Sequence, residues 1–333
     1  MTTRAKATSV PLWRVRLSLF ASRARTNWIV FAENPVGVLG LGVIVFFGLF
    51  ALAHPILIAT DKVTLGLVKE PIWDPNVYDP VKGYDIEVAM HPAPPSARHL
   101  LGTDPEGRDV LSQLMVSTRF EFVLGILTAV VTVAIATTVG AVTAYYGGLF
   151  DTLIMRVVDL VIMVPLLPIL IFLSALMDIG MFQMSLLFGL LFGFGSTALI
   201  VKAQALTVKV RPYIDAARIA GGGDGHIIFK HMIPNLLPIS LLYMMFTVNT
   251  AIAYESILSF FGLTTIEMSW GLMINTTQYY GYLLSLDKWW LLFPASVAIS
   301  SLCAAFYLVG RALDEVVNPR LRRLARLSYL SER

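Results

Sequence analysis

The chain has 333 residues, of which 56% are hydrophobic and 14% charged, where a soluble domain carries roughly a quarter charged. That balance calls for lipid around the protein and excludes a disordered chain, while the one cysteine, Cys303, excludes a disulfide scaffold. A net charge of +3 is too small to point to nucleic acid, and the basic residues are better read as orienting the chain in a membrane.

In chain order, stretches 34–60, 122–150, 160–177, 179–201, 231–254 and 289–310 contain no Asp, Glu, Lys or Arg. A spanning helix needs about 20 such residues, and none of these runs alternates as a barrel strand does. The expected fold is therefore all-α, a polytopic membrane protein of six transmembrane helices. Ala51-Leu52-Ala53 resembles a signal-cleavage triplet, but the long stretch before this first apolar run and the run's own length favour an uncleaved helix.

Orientation follows from Lys and Arg near the spans. Segment 1–33 holds Arg4, Lys6, Arg14, Arg16, Arg23 and Arg25; segment 202–235 holds Lys202, Lys209, Arg211, Arg218 and Lys230; the tail adds Arg311, Arg320, Arg322, Arg323, Arg326 and Arg333. The opposite short loops, 178–183 and 262–288, hold only Lys288. The expected organisation is a cytoplasmic segment 1–33, a transmembrane domain 34–310 and a cytoplasmic tail 311–333, placed in the cell (inner, cytoplasmic) membrane. Within it, loop 61–121 lies outside and loop 202–235 in the cytoplasm. Pro71, Pro75, Pro80, Pro92, Pro94 and Pro95, with Trp73, Tyr78 and Tyr84, make 61–121 an extended segment that covers or contacts something at the outer face.

Thr132, Ala136, Gly140 and Ala144 recur every four residues, and Gly189 and Gly193 do the same, which predicts close helix approach. There is no internal repeat and no half-to-half similarity. Gly221-Gly222-Gly223-Asp224-Gly225 lacks the Lys-Ser/Thr of a phosphate loop. His226 and His231, five apart, are expected on different helix faces, and no HExxH or paired-cysteine pattern occurs, so neither a metal site nor a catalytic residue is assigned. Asn275-Thr276-Thr277 is a glycosylation sequon of a kind that arises often by chance. Inside the spans, Glu255, with Asn249 near it, is the candidate pathway or structural polar residue, and Arg156 and Asp159 can pair at i,i+3.

Segment 202–235 is polar and basic, and Asp215-Ala216-Ala217-Arg218 followed by Gly221 predicts a short helix projecting from the membrane, with Asp215 capping or favouring its start and glycine ending it. Its alanine face suits a protein groove.

Here the sequence resembles the inner-membrane permeases of ABC importers, whose cytoplasmic EAA loop reads E-A-A-x-x-x-G followed by a run ending I-x-L-P. This chain has DAARIAG and then GGDGHIIFKHMIPN, with Asp215 in place of the usual Glu. Leu101-Gly102-Thr103-Asp104 with Gly107-Arg108-Asp109-Val110-Leu111-Ser112 is similar to the LGTDxxGRDVLSR signature of the peptide/nickel (dipeptide/oligopeptide) permeases, on the second-permease (C-type) side. Glu255 with Leu258-Ser259-Phe260, Ser269-Trp270-Gly271, Trp289-Trp290, Pro294 and Asn318-Pro319-Arg320-Leu321-Arg322 extend the match over about residues 34–322.

The resemblance implies a type I importer bundle that transports di- or oligopeptides as a heterodimer with a second homologous permease. It also implies two cytoplasmic ABC ATPases holding ATP and Mg, an extracytoplasmic solute-binding protein, surrounding membrane lipid, and no cofactor on this chain. It makes Asp215, Ala216, Ala217, Arg218 and Gly221 the ATPase-coupling residues. The alternative is an ion-coupled secondary transporter or channel subunit, which calls for an ion-coupling network or a symmetric repeat that the sequence does not display. A membrane-embedded enzyme would need a clustered catalytic constellation.

Overall fold

The computed structural model describes residues 22, 25–64 and 73–317. The basic residues before Ser22, Arg23, Pro71 and the motif at 318–322 lie outside the described residues. Among the described residues the chain is helical with connecting loops, and the only strand-like feature is an isolated bridge between Thr103 and Asp109. The helices are α1 (25–32), α2 (Pro35–Thr64), α3 (Pro75–Tyr78), α4 (Val110–Tyr146), α5 (Gly148–Met163), α6 (Leu166–Leu176), α7 (Met181–Gly193), α8 (Ser196–Lys209), α9 (Pro212–Ile219), α10 (Asp224–Phe260), α11 (Trp270–Tyr279) and α12 (Leu286–Val317).

Among the described residues four helices, α2, α4, α10 and α12, are long and apolar enough to cross a bilayer, and the bent pairs α5–α6 and α7–α8 bring the number to six if each pair is one span. This is an all-α polytopic bundle. Two details differ from the sequence reading. The stretch 160–177 is not one helix: the chain breaks at Val164-Pro165 and α6 leaves α5 at 86°. Pro165 has no N–H to continue the helical ladder and disfavours helical geometry in the residue before it. A second break, at Phe194-Gly195, bends α8 from α7 by 45°. The second difference is that α4 starts at Val110, well before the apolar run at 122, because Glu121 is fully buried inside the bundle and does not mark a loop.

The long helix α4 is the central post, packed by α2, α7, α8 and α10. Its small residues do what their spacing predicts. Thr132 and Ala136 are fully buried, and Thr132 Oγ1 donates to the Gly189 carbonyl at 3.5 Å. A Cβ on Gly140 would sit 2.8 Å from the Lys202 backbone nitrogen, one on Gly189 2.5 Å from Val131 Cγ1, and one on Gly193 2.8 Å from Ile135 Cβ. The two small-residue stripes thus face each other's helices and let α4 approach α7 and α8 at backbone distance.

Candidate functional site

Helix α9 projects between two spans and carries the predicted coupling residues. Pro212 occupies its first turn, where the missing N–H costs nothing, and Asp215 adds a favourable negative charge there without capping it; Arg211 is the N-cap and makes no side-chain cap bond. The helix ends in a left-handed glycine turn. Gly221 has φ +82°, the Gly221 amide donates to the Arg218 carbonyl at 2.9 Å, and the Gly222 amide donates to Ala217, also at 2.9 Å. That pair of bonds is the Schellman closure. Gly221→Ala is expected to cost about 1–2 kcal/mol for forcing an L residue into this conformation. The readout is faster proteolytic cleavage near 219–225, with Gly225→Ala, whose φ is not left-handed, as the control.

The two alanines point in different directions. Ile214 is fully buried, and Ala217, one turn on, packs beside it on Ala141 and Ala144 of α4, Val201, Ala205 and Val208 of α8, and Ile227, Ile228, Met232 and Leu236 of α10. Ala217 therefore seats the helix on its own bundle, and Ala216 lies on the exposed face with Pro212, Asp215 and Ile219. Arg218 lies between the two. Its guanidinium carbon is 5.4 Å from the Tyr145 ring centroid, it pairs with Asp215 at 3.3 Å, and the Tyr145 hydroxyl donates to Asp224 Oδ1 at 2.7 Å. A displacement of α9 would be felt directly by α4, α8 and α10.

The chain enters α10 through a π turn at Ile227–Met232, with the Ile233 amide donating to the Ile228 carbonyl five residues back. This wider turn corrects the histidine reading. The His226 and His231 rings come within 5.3 Å, since a spacing of five shares a face in a π turn although not in an α-helix. Nearby, Lys202 of α8 and Asp151 of α5 form an ion pair at 2.5 Å. Arg156 and Asp159 pair at 3.4 Å on an exposed face of α5.

At the opposite end of the bundle, residues 73–109 fold into a fixed cap, which the sequence reading anticipated only as an extended segment. Asp104 accepts from the amides of Glu106 and Arg108 at 2.9 Å each, from Arg108 Nε at 2.7 Å and from Gln113 Nε2 at 2.8 Å. Thr103 Oγ1 accepts from the Ala93 amide at 2.9 Å, and Trp290 Nε1 of α12 donates to the Thr103 carbonyl at 3.2 Å. Asp109 caps α4 by accepting from the Ser112 amide at 2.7 Å. The Asn275 side chain donates to the Phe260 carbonyl at 2.7 Å, so the amide of the sequon is used in an internal bond.

Glu255 and Asn249 are not brought together, because six positions along a helix put them on different faces. Glu255 is fully buried, accepts from Ser259 Oγ at 2.6 Å and lies against Glu121 of α4. The Asn249 carbonyl accepts from Cys303 Sγ of α12 at 3.7 Å. A more telling feature was missed from sequence. Both helix breaks border one cleft of about 530 Å³, through Val164 and Pro165 at the first and Gly195 and the adjoining Ser196 at the second, closed by Tyr243, Thr247 and Tyr254 of α10. Irregular backbone at membrane depth is tolerated where it lines a cavity.

The described helices thus make a multi-pass membrane bundle with a short helix seated on an inter-span loop and a cleft at its helix breaks. Residues 136–323 match the family of binding-protein-dependent transport system inner membrane components. The chain belongs to this family, and the relatives it is similar to are peptide transport permeases. It is 34% identical to a candidate peptide transport system permease of Brucella suis biovar 1, over 71% of this chain and 78% of that protein. It is 30% identical to the dipeptide transport system permease of Bacillus subtilis strain 168 over 91% and 87% of the two chains. With the oligopeptide transport system permease of the same organism the identity is 29%, over 88% of each.

Proposed function

We propose that this chain is the second-type permease of an importer for di- or oligopeptides, working as a heterodimer with a second homologous permease. Two cytoplasmic ATPases carry ATP and Mg, a solute-binding protein delivers the peptide outside, and α9, with Asp215, Ala216, Ala217, Arg218 and Gly221, couples the ATPases to the spans. Both termini and α9 then face the cytoplasm, and the 73–109 cap faces out. The observation that carries this reading is the two-sided build of α9: an inner face locked onto three spans and an outer face of Pro212, Ala216 and Ile219 left open. Transport needs only that ATP-bound and ATP-free partners bind two states of the bundle differently, so this chain requires no catalytic group.

The cleft at the helix breaks is this subunit's share of the path. Tyr243 and Tyr254 offer flat apolar contact, and Thr247 and Thr250 offer hydroxyls near a peptide backbone, with no fixed charge to select one side chain. The test is purification of the tagged chain from its native membrane, followed by uptake of a labelled dipeptide and tetrapeptide by the reconstituted complex. Two ATPase chains and a second permease should co-purify, and uptake should require ATP. Uptake by this chain alone, driven by an ion gradient, would overturn the reading.

A further inference from the structure

The most constrained polar group in the cap has no part in the coupling or path just described. His99 is 1% exposed, and each ring nitrogen faces a carboxylate: Nδ1 lies 2.8 Å from Asp109 Oδ1, and Nε2 lies 3.1 Å from Asp85 Oδ2. Both carboxylates are themselves buried and already committed as acceptors. Asp85 accepts from the Glu87 amide at 2.9 Å and pairs with Arg98 Nε at 2.6 Å; Asp109 accepts from the Ser112 amide and hydroxyl. An ionised carboxylate can only accept, and a neutral imidazole has one N–H, so donation to both sides requires the imidazolium.

We propose that Asp85–His99–Asp109 is a proton-operated clamp, in which charged His99 ties the outer segment to the capping residue of α4 and releases it when the ring loses its proton. The link is mechanical as well as electrostatic. Asp85 belongs to the loop after α3, Asp109 fixes the first turn of α4, and the His99 carbonyl accepts from the Ser96 and Gly102 amides at 2.8 and 2.9 Å. Losing the proton leaves one carboxylate facing a lone pair across about 3 Å, a repulsive contact between groups that are all buried.

Groups of both signs surround the ring and its neighbours, and the two carboxylates in direct contact dominate. From the loop come Asp85 and Arg98, the latter also paired with Glu87; from the start of α4 comes Asp109; and from α3 comes Tyr78, whose ring centroid is 5.6 Å away; further out, Asp74 acts on Tyr78, and His54 of α2, which contacts the Tyr78 carbonyl, feels Asp79 and Arg119. Burial works against the imidazolium, but the hydrogen bonds and charges of Asp109 and Asp85 outweigh it, and the ring titrates above its ordinary 6.5. At Asp85 burial is likewise outweighed, by the Glu87 amide, His99 and Arg98, and its pKa falls below the ordinary 3.8. A raised histidine pKa gives stabilisation that is complete below 6.5 and is lost as pH rises through the folded-state value. The Asp85 contribution is lost only as pH falls through a value below 3.8, so the clamp opens toward alkaline pH.

The test is hydrogen exchange of the Ser96 and Gly102 amides in the full chain held in lipid nanodiscs, corrected for intrinsic base catalysis, between pH 6 and pH 9. Wild-type protection is expected to fall on the order of tenfold for each pH unit between the ring's ordinary 6.5 and its raised folded-state value, and to level off beyond it. His99→Gln should show low protection at both ends and no step. Asp85→Asn keeps the side-chain shape but removes one charge, so its step should move to lower pH. Flat wild-type protection, a step that survives in His99→Gln, or an unmoved step in Asp85→Asn would each overturn the clamp. The wild-type and Asp85→Asn arms decide the matter even if His99→Gln fails to fold, and none depends on what is transported.

Discussion

Asp104→Ala is expected to destabilise the protein by about 3 kcal/mol, the range for removing one partner of a buried, hydrogen-bonded ion pair. Asp104 and Arg108 are both largely buried, with the Arg108 guanidinium 2.7 Å from Asp104 Oδ2, and the same carboxylate satisfies two loop amides and the Gln113 side chain. Alanine orphans all of them at once. Glu106, 3.0 Å from Arg108 but 42% exposed, recovers part of the loss, which places the value at the low end. Glu106→Ala alone should cost under about 1 kcal/mol, as solvent-facing pairs do. Thermal unfolding of the purified chain in detergent checks the comparison. Equal melting of wild type and Asp104→Ala would mean that the cap is not held by this cluster.

The same cluster shows what a motif can and cannot convey. LGTD and GRDVLS carry the family resemblance as a string, and the structure gives the letters physical work. Gly102 and Gly107 have φ of +73° and +84°, and a Cβ on them would meet the Ala93 carbonyl at 2.5 Å and the Tyr84 ring at 2.5 Å. Asp104 holds the loop and Asp109 starts α4. His99, two positions before the string, gives no sequence signal because its partner Asp85 lies fourteen residues away in a proline-rich stretch with no periodicity. Spans were legible wherever charge was absent. That rule fails at Glu121, a carboxylate buried in the bundle, and it cannot see a bend such as the one at Pro165, where the residues on both sides remain apolar.

Helix α9 was legible in position and not in phase. Four residues named from the DAARIAG resemblance fall on α9 and Gly221 just after it, yet the string does not say which alanine faces outward. Ile214 decides it: once that side chain is buried among the ends of α4, α8 and α10, a rotation of 100° per residue puts Ala217 inward and Ala216 outward. Ala217→Arg would unseat α9 from its own bundle and so mix folding with docking.

Ala216→Arg separates them. Arginine is a good helix former, and position 216 is exposed, so α9 should form and the permease should insert and melt as wild type does. If the face of Pro212, Ala216 and Ile219, the last 88% exposed, is covered by an ATPase groove, the new guanidinium is buried without a partner. That costs about 3–5 kcal/mol, which is a loss of roughly 100-fold or more in ATPase affinity. Ile219→Ser, which gives up apolar contact without adding charge, should lose less, about 1–2 kcal/mol. The measurement is ATPase retained on the tagged permease, together with ATP-driven uptake, for the three chains in parallel. Ala216→Arg that keeps its ATPase and transports at the wild-type rate would remove α9 from the coupling path. The expected order, wild type above Ile219→Ser above Ala216→Arg at equal permease stability, would place the contact on this face of the helix.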